Sequence, residues 1–333
     1  SYTLGGFRSF TKVTTLGRFY PLDEIKNLNF PKFHHHLSLN NETMPMAKKM
    51  RDWLDSLLEP WGSDIALSIE STNNFPTACG IASSASGYAA LCGALFDLLQ
   101  LHQHFNEEEQ FFWLTQWARL GSGSATRSCD IGKQASFVHW KAPEDLNKGF
   151  SDTESIEFHP VFEQLQHCVF VLDDKEKTVT SSEGHQQASS SPFQAIRLSG
   201  LPKRTKLMLK ALREGDFQLF STLCEEEAFA MHCVMHTSSY PAKYLNNEVA
   251  HIIAQFVLQR NTQNLPALWT LDAGPNIHVL YFPEAKPWLK EFSTLLSMQK
   301  KAKILSNQKN EGLVIGKAGY KKLIQEQILS NSL

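Results

Sequence analysis

Residues 73–85 carry the residue types of a phosphate-binding loop, between a predicted strand and a predicted helix. Gly80 permits a sharp turn and a close approach of a ligand to the backbone, and Ser83 and Ser84 are favourable N-cap residues. Because a helix N-terminus presents unpaired N–H groups and a partial positive charge, it favours phosphate, and serine hydroxyls could add donors or a magnesium contact. A serine-capped core helix that binds nothing is the alternative. The segment contains neither a Walker motif nor a dinucleotide GxGxxG motif.

A second candidate, residues 119–128, alternates glycine and serine before Arg127. Glycine frees the backbone, serine hydroxyls donate hydrogen bonds, and the guanidinium group is a fixed cation that can bind two oxygens at once. This composition suits a phosphate or diphosphate. It fits a flexible loop with a solvated arginine equally well.

The third candidate is a lone carboxylate, Asp272, at the end of a predicted strand in the sequence Thr270–Asn276. A strand end fixes the position of a side chain, so Asp272 could act as a base or orient a substrate carboxylate by repulsion. The alternative is an ordinary Asx-type turn residue between two strands.

Other polar segments are interpreted mainly as solvent-exposed surface without a role in binding or catalysis. His34–His36 is interpreted as a solvated run rather than a metal site, because three adjacent residues cannot easily face one ion. Ser181, Ser182 and Gly184 could close a phosphate site, although a surface loop fits the sequence better. A basic set is expected on the solvent face of a helix: Lys203, Arg204, Lys206, Lys210 and Arg213.

The elements that must position these residues follow from hydrophobic periodicity and turn residues. Strands are predicted at 7–16, 64–70, 135–140, 167–172, 268–271 and 277–282. Helices are predicted at 46–58, 83–101, 107–120 and 285–296, with 202–256 mostly helical and interrupted at Gly215 and Pro241. Residues 27–43 are polar and turn-rich, and a basic, polar tail is expected from Met298 onward.

Composition narrows the function classes. The 333 residues carry a net charge of −2, with 42% hydrophobic and 20% charged residues, which excludes wholesale disorder and argues against a general nucleic-acid binder. The six cysteines are dispersed without a CxxC pair, so free thiols in a reducing cytosol are expected. The longest apolar stretch, Gly87–Leu99, is too short to span a bilayer, and no signal peptide is visible. We therefore expect a cytoplasmic protein without membrane or nucleic-acid partners.

The three candidate segments together resemble one family. They read Asn-Asn-Phe-Pro-Thr-Ala-x-Gly-x-Ala-Ser-Ser-Ala from Asn73, Ala-Arg-x-Gly-Ser-Gly-Ser-Ala-x-Arg-Ser from Ala118 and Asp-Ala-Gly-Pro-Asn from Asp272. This pattern is similar to the diphosphomevalonate decarboxylases of the GHMP kinase superfamily, over roughly residues 1–295. Weaker matches lie at 181–184, 202–204, 231–232 and 239–241.

The resemblance implies a mixed α/β (α+β) GHMP kinase fold with a left-handed βαβ unit around the phosphate loop. It implies a ribosomal-protein-S5-like ATP-binding domain at 1–160 and a ferredoxin-like domain at 161–297, with the active-site cleft between them, followed by the tail at 298–333. A homodimer is the family expectation.

The resemblance also implies the activity: ATP-dependent decarboxylation of (R)-5-diphosphomevalonate to isopentenyl diphosphate, with ADP, phosphate and CO₂ released. Asp272 matches the catalytic aspartate beside the C3 hydroxyl, and Arg127 and Ser84 join it as catalytic candidates. The implied substrate contacts are Ser122, Gly123, Ser124, Arg127 and Ser181. The implied ATP-phosphate contacts are Pro76, Thr77, Ala78, Cys79, Gly80, Ile81, Ala82, Ser83 and Ser84. Mg²⁺ is expected to be held through ATP and by Ser83 or Ser84, without a side-chain cluster.

Three features depart from the family pattern. The family's opening strand, which carries a lysine near the aspartate, is not visible: either the sequence begins late or this strand is missing. Residues 129–133 replace the usual Gly-Gly, and His185 stands where methionine is usual. Two alternatives therefore remain: a superfamily kinase that phosphorylates a mevalonate-like alcohol without decarboxylation, or a degenerate, non-catalytic homologue. The retained Arg127 and Asp272 argue against the kinase.

Overall fold

A computed structural model describes residues 1–2, 7–16, 35–61, 65–75, 83–129, 137–141, 152–173, 184, 186–299 and 303–306. By their contacts these residues form two compact units, one within 1–75 and 83–155 and one within 156–309. Among the helices of these ranges, none combines the length and apolar character needed to cross a bilayer.

In the first unit, a four-stranded sheet has the order β1-β4-β2-β3. Strands β5 and β6 form a separate antiparallel pair. The β1–β4 pair is antiparallel, with Val13 opposite Ile69, whereas β2 runs parallel to β4. The strands are β1 (Ser9–Thr15), β2 (His36–Leu39), β3 (Glu42–Met44), β4 (Leu67–Asn73), β5 (Val138–Trp140) and β6 (Thr153–Ser155). This arrangement confirms the strands predicted at 7–16 and 64–70 within a few residues.

Three helices of the first unit share a core with this sheet: α1 (Lys48–Leu58), α2 (Ser83–Leu98) and α3 (Glu107–Gly121). Helix α3 begins with a capping box, in which Asn106 accepts from the backbone of Glu109 and the Glu109 side chain accepts from the backbone of Asn106. Helix α1 buries its periodic apolar residues, as predicted. Fully buried members of this core include Leu54, Leu67, Leu95 and Leu114.

The structure differs from the turn-rich interpretation of residues 27–43, because β2 and β3 form a hairpin there. Asn40 and Asn41 connect the strands with φ of 52° and 67°, a left-handed conformation that asparagine tolerates and that two-residue hairpin turns require. His35 is not solvated: its side chain is 5% exposed, with Nε2 3.1 Å from the Asp55 carboxylate. Its Nδ1 accepts from the Leu67 amide at 3.1 Å, so this histidine joins β4 to α1.

In the second unit, a four-stranded antiparallel sheet has the order β10-β7-β9-β8. Its strands are β7 (Gln166–Val171), β8 (Ala267–Leu271), β9 (Ile277–Tyr281) and β10 (Lys303–Ser306). Strand β10 corrects the expected tail: residues 303–306 pair with β7 at the edge of the sheet. An edge strand of four residues has too weak a pattern to be recognised from sequence.

Four helices accompany this sheet: α4 (Gln194–Glu214), α5 (Phe217–Thr237), α6 (Asn247–Thr262) and α7 (Lys286–Met298). The predicted interruption at Gly215 is confirmed: Gly215 ends α4 with φ of 76°, and Asp216 caps α5 through the Leu219 amide. Lysines of the basic set are exposed on α4 as predicted, but Arg204 is half-buried and ion-paired with Glu227. The core between sheet and helices includes Phe170, Ile252, Phe256, Trp269 and Val279.

Candidate active site

The predicted phosphate loop is described only at its carboxyl end. Helix α2 starts at Ser83, ten residues after the end of β4, which confirms the predicted succession of strand, connection and helix. Ser83 is half-buried, Ser84 is exposed, and Ala85 enters the core at 3% exposure. The other predicted nucleotide contacts lie outside the described residues: Pro76, Thr77, Ala78, Cys79, Gly80, Ile81 and Ala82.

The glycine–serine segment is a short 3₁₀ helix, Gly123–Ser128, that follows α3 directly, rather than an irregular loop. Ala125 and Thr126 are buried at 0% and 1% exposure. The predicted substrate contacts Ser122, Gly123, Ser124 and Arg127 are all half-buried. Arg127 is therefore not the solvated arginine of a flexible loop, because part of its surface is already removed from water.

Close packing of small residues holds this segment against α2 and α3. At Gly121 the backbone lies so near the Tyr88 ring that an added Cβ would come within 2.2 Å of Cδ1. The Cys129 thiol donates to the carbonyl oxygens of Ala125 (3.4 Å) and Leu114 (3.6 Å). Ala125 shares a core with Ala85 at the start of α2. The structure thus brings the described carboxyl end of the first candidate segment, at the start of α2, together with the second segment in one unit.

One buried hydroxyl in this segment escaped the sequence analysis. The Oγ1 atom of Thr126 is buried without a hydrogen-bond partner among the described residues. A buried hydroxyl without a partner costs free energy, so it stands out between Ser124 and Arg127. The sequence around Thr126 could not have predicted this buried hydroxyl, because only the tertiary packing removes it from water.

Asp272 is exposed and comes directly after β8, as predicted. Its carbonyl oxygen accepts from the Gly274 amide at 2.7 Å. Asn276, 1% exposed, fixes the rest of the turn: its Oδ1 accepts from the amides of Leu172 (2.8 Å) and Asp173 (3.1 Å). Its Nδ2 donates to the Asp173 carbonyl at 3.0 Å. The β8–β9 turn is therefore tied to the end of β7.

Apolar side chains and histidines lie behind this turn. Ala273 packs with Met235, Ala242 and Tyr244. His232 on α5 is 1% exposed, and burial, reinforced by His236, lowers its pKa to about 4, while the charge and backbone of Asp272 act in the opposite direction. The His232 ring is neutral at pH 7. Sequence reasoning noted His232 only as a weak family match and missed its burial.

Ser181 lies outside the described residues, but a residue close to it is placed. Gly184, three positions later, is buried, and a Cβ built on it would lie 4.0 Å from the Cε atom of Met235. Gly184 therefore lies beside Met235, one of the residues that pack with Ala273. Within the described ranges, no three His, Cys, Asp or Glu side chains gather as a metal-ligand cluster.

Arg127 belongs to the first unit and Asp272 to the second. Each is fixed within its own unit by the contacts given above. Their convergence on one pocket stays a prediction.

Two family models match the chain and divide it between them. The diphosphomevalonate decarboxylase-like N-terminal domain matches residues 24–156. The mevalonate 5-diphosphate decarboxylase C-terminal domain matches residues 167–331. The first range contains Ser84 and Arg127, and the second contains Ser181 and Asp272.

Curated relatives carry the same name. A diphosphomevalonate decarboxylase from Candida albicans is 37% identical over 67% of this chain and 59% of its own length. That of Saccharomyces cerevisiae is 35% identical over 70% of this chain and 57% of its own. That of Danio rerio is 34% identical over 67% of this chain and 54% of its own. The chain thus spans between half and two thirds of the length of these relatives.

Solved structures show the same fold. A complex described as MDDEF with MVAPP, AMPPCP and magnesium superposes with a TM-score of 0.77 and 26% identity, covering 93% of this chain and 88% of that one. The mevalonate diphosphate decarboxylase from Trypanosoma brucei superposes with a TM-score of 0.69 and 26% identity, covering 89% and 74%. This likeness confirms the predicted mixed α/β, GHMP kinase-type fold.

Proposed function

Because the chain belongs to the diphosphomevalonate decarboxylase family, we propose that it converts (R)-5-diphosphomevalonate and ATP to isopentenyl diphosphate, ADP, phosphate and CO₂. One observation carries this proposal: both halves of the chain match the family, and each retains one charged catalytic candidate. Arg127 lies in the first matched range and Asp272 in the second. The matched families and relatives are decarboxylases, which favours this reaction over a kinase that only phosphorylates the alcohol.

In this proposal the segment 76–84 holds the ATP phosphates. The start of α2 supports it, because a helix N-terminus favours phosphate and Ser84 is exposed there. The MDDEF complex contains AMPPCP, an analogue of ATP, together with magnesium. We assign the hydroxyl of Ser83 or Ser84 as the protein contact nearest to Mg²⁺, with ATP supplying the remaining oxygen ligands.

The substrate lies along the 3₁₀ helix, with Ser122, Gly123 and Ser124 near its diphosphate and Arg127 near its carboxylate and diphosphate. Half-burial of Arg127 supports this role, since a cation partly removed from water attracts anions more strongly. Ser181 reaches the same diphosphate in this proposal. Its neighbour Gly184 supports that role by its place behind Asp272.

The chemistry follows from the substrate. The tertiary C3 hydroxyl is a poor leaving group, so its oxygen first attacks the γ-phosphorus of ATP, and Asp272 accepts the proton. The C3–O bond then breaks and phosphate leaves with the bonding electrons, while positive charge develops at C3. The bond between C2 and the carboxylate breaks, its electrons form the C2=C3 double bond, and CO₂ departs. Asp272 passes the proton it accepted to the departing phosphate, so its carboxylate is ionised again and stabilises the cationic carbon. The protein chiefly positions groups and compensates charge.

The deciding experiment supplies the 333-residue chain with Mg²⁺, ATP and diphosphomevalonate labelled at C1. We expect ADP and labelled CO₂ in equal amounts. ADP without CO₂ would show the kinase alternative instead, and neither product would show a non-catalytic homologue. Isopentenyl diphosphate is identified in the same reaction by mass spectrometry.

We also propose a cytosolic homodimer. The five described cysteines are all free thiols, a state typical of a reducing compartment. Light scattering after size-exclusion chromatography tests the dimer: a mass of twice 37.6 kDa supports it, and a mass of 37.6 kDa contradicts it.

A further inference from the structure

Two hydrogen bonds of Ser9 join the end of β4 to the first turn of α2. Ser9 begins β1 and lies opposite Asn73, the last residue of β4. Its hydroxyl donates to Oδ1 of the Asn73 side chain at 2.5 Å, and its amide donates to the hydroxyl oxygen of Ser86 at 3.2 Å. Ser9 therefore contacts both elements that flank the segment proposed to hold the ATP phosphates.

The end of β4 is a fixed point for this connection. The Asn73 amide donates to Oδ1 of Asn40, in the turn between β2 and β3, at 2.9 Å. The next residue, Asn74, donates its amide to the Arg8 carbonyl oxygen at 3.1 Å and accepts from the Arg8 amide through Oδ1 at 2.7 Å. The end of β4 is thus bonded on one side to the start of β1 and on the other to the β2–β3 turn.

The first turn of α2 gains direction from its bond to Ser9. Ala85 packs in the core, but Ser84 is exposed, and apolar packing has no preferred direction. A hydrogen bond has a narrow range of length and angle, so the bond to Ser86 fixes how this turn is placed and rotated. In the described sheet β1 is an outer strand, and the Ser9 amide bonds to the helix instead of to another strand.

We propose that Ser9 is a positioning residue for ATP: it fixes the first turn of α2 relative to the end of β4, and with it the direction in which Ser83 and Ser84 meet the phosphates and Mg²⁺. Groups that are already in place lose less conformational freedom on binding, so the ligand is held more tightly. The two bonds of Ser9 act in series, because loss of either one interrupts the connection. This role rests on the proposed function, whereas the two hydrogen bonds do not.

The role is tested by nucleotide binding without turnover. Calorimetry measures the Kd of AMPPCP with Mg²⁺ in the presence of excess diphosphomevalonate. Ser9→Ala removes the hydroxyl bond to Asn73, and Ser86→Ala removes the acceptor of the Ser9 amide. Each should raise this Kd about 3- to 10-fold, as expected for the loss of one hydrogen bond. Ser9→Thr, which keeps a hydroxyl, should recover most of the affinity. An unchanged Kd in both alanine variants would overturn the inference.

Thr11 provides a matched control on the same pair of strands. Its hydroxyl oxygen lies 3.0 Å from that of Ser71, which is directly opposite on β4. This is the same kind of cross-strand contact, two residues farther along β1. Thr11→Val should change the melting temperature about as much as Ser9→Ala does, but should leave the Kd of AMPPCP at the parent value. Equal weakening of nucleotide binding in the two variants would reveal a general effect on the sheet and overturn the positioning role.

The double variant Ser9→Ala/Ser86→Ala tests whether the two bonds act in series. Since either substitution alone interrupts the connection, the Kd should rise no further than in the weaker-binding single variant. If the two fold-changes multiply, the bonds are independent contacts, and the bridging role of Ser9 is refuted.

Kinetics separate this inference from the proposed function. In Ser9→Ala, kcat/KM for ATP should fall about 3- to 10-fold while KM for diphosphomevalonate stays at the parent value. A parent chain that binds AMPPCP but releases no CO₂ would refute the proposed reaction, and the role of Ser9 would then be decided by the binding measurements alone. A parent chain that binds no AMPPCP would refute the ATP site and the positioning role together.

Discussion

The 3₁₀ helix at 123–128 and the β8–β9 turn each present one charged catalytic candidate, but they are held by different forces. Arg127 is half-buried in a segment fixed by shape, where Ala125 is completely buried and an added Cβ on Gly121 would strike Tyr88. Asp272 is exposed on a turn fixed by the hydrogen bonds of Asn276.

This difference predicts how each site fails. A site held by shape is damaged by added volume, because a close-packed segment has no space to absorb a methyl group. A site held by polar contacts is damaged by removal of a hydrogen-bonding group, because buried backbone amides and carbonyls then lose their partners. In both, we expect removal of the charged candidate side chain to affect folding less than a change in the residues that hold it.

The largest effects are expected from the charged side chains themselves. Asp272→Ala should lower kcat about 10²- to 10⁴-fold, because the proton acceptor and the negative charge are lost together. The melting temperature and ATP binding should remain unchanged, since Asp272 is exposed. Coupled measurement of ADP and CO₂ with calorimetry checks this, and retained turnover would remove Asp272 from its assigned role.

Arg127→Met should lower kcat/KM for the phosphorylated substrate about 10²- to 10³-fold, as expected for loss of a preorganised charge. Arg127→Lys keeps the cation but not the planar pair of donors, so its kcat/KM should lie between that of Arg127→Met and that of the parent chain. Both variants are assayed at several substrate concentrations. A mild effect of Arg127→Met would contradict its role at the substrate.

The next largest effect is expected from Asn276, whose hydrogen bonds hold the β8–β9 turn. Asn276→Ala removes the partners of the Leu172 amide and of the Asp173 amide and carbonyl, and should lower the free energy of unfolding by about 1–3 kcal/mol. The kcat should fall as well, because Asp272 loses its fixed turn. Chemical denaturation and kinetics measure both, with exposed Asn247→Ala as control. If Asn276→Ala has the same free energy of unfolding as the parent chain, the turn is not held by these hydrogen bonds, and the contrast with the closely packed 3₁₀ helix is refuted.

The steric prediction uses two glycines of the first unit. Gly121→Ala should lower the free energy of unfolding by about 1–3 kcal/mol, because the new Cβ meets Tyr88 at 2.2 Å and Trp53 at 3.1 Å. Gly87→Ala on α2, where nothing lies within 4 Å, should be neutral or stabilising by about 0.5–1 kcal/mol. Thermal denaturation of the two variants gives opposite signs, and equal signs would refute the steric argument.

The effect that is smallest near neutral pH is a difference in acid sensitivity between the two units. Burial lowers the pKa of His232 to about 4, and burial with His278 lowers that of His167 well below its usual range. The unfolded chain binds these protons near pH 6.5, so stability from both groups is complete above that pH and is lost as pH falls towards 4. Between these two pH values, each histidine should lower the free energy of unfolding by up to about 1.4 kcal/mol for each unit that the pH falls.

Hydrogen exchange at pH 7 and pH 5 can locate this effect. Both histidines belong to the second unit, so β7, β9 and α5 should lose protection at pH 5 more than β1 and β4 do. In His232→Phe the pH-dependent loss should be smaller. Equal losses in both units would contradict this assignment.

Much of the fold could be predicted because its signals are local. Apolar residues at helical spacing placed α1 within two residues of its observed start, and Gly215 correctly marked the end of α4. The hairpin of β2 and β3 and the edge strand β10 were missed, since strands of three or four residues are too short to show alternation. His35 was misjudged because its partners, Asp55 and Leu67, lie on other elements.

The family of this protein was written in its sequence: two segments rich in glycine and serine, an arginine and one aspartate follow each other in an order that identifies it. Only the tertiary structure decided that the second segment is a packed 3₁₀ helix, that Asn276 binds residues 103 and 104 positions away, and that His232 is buried. The physical reason is the range of the forces. Turn geometry and helix caps depend on near neighbours in the chain, whereas burial and hydrogen-bond satisfaction depend on residues that only folding brings into contact.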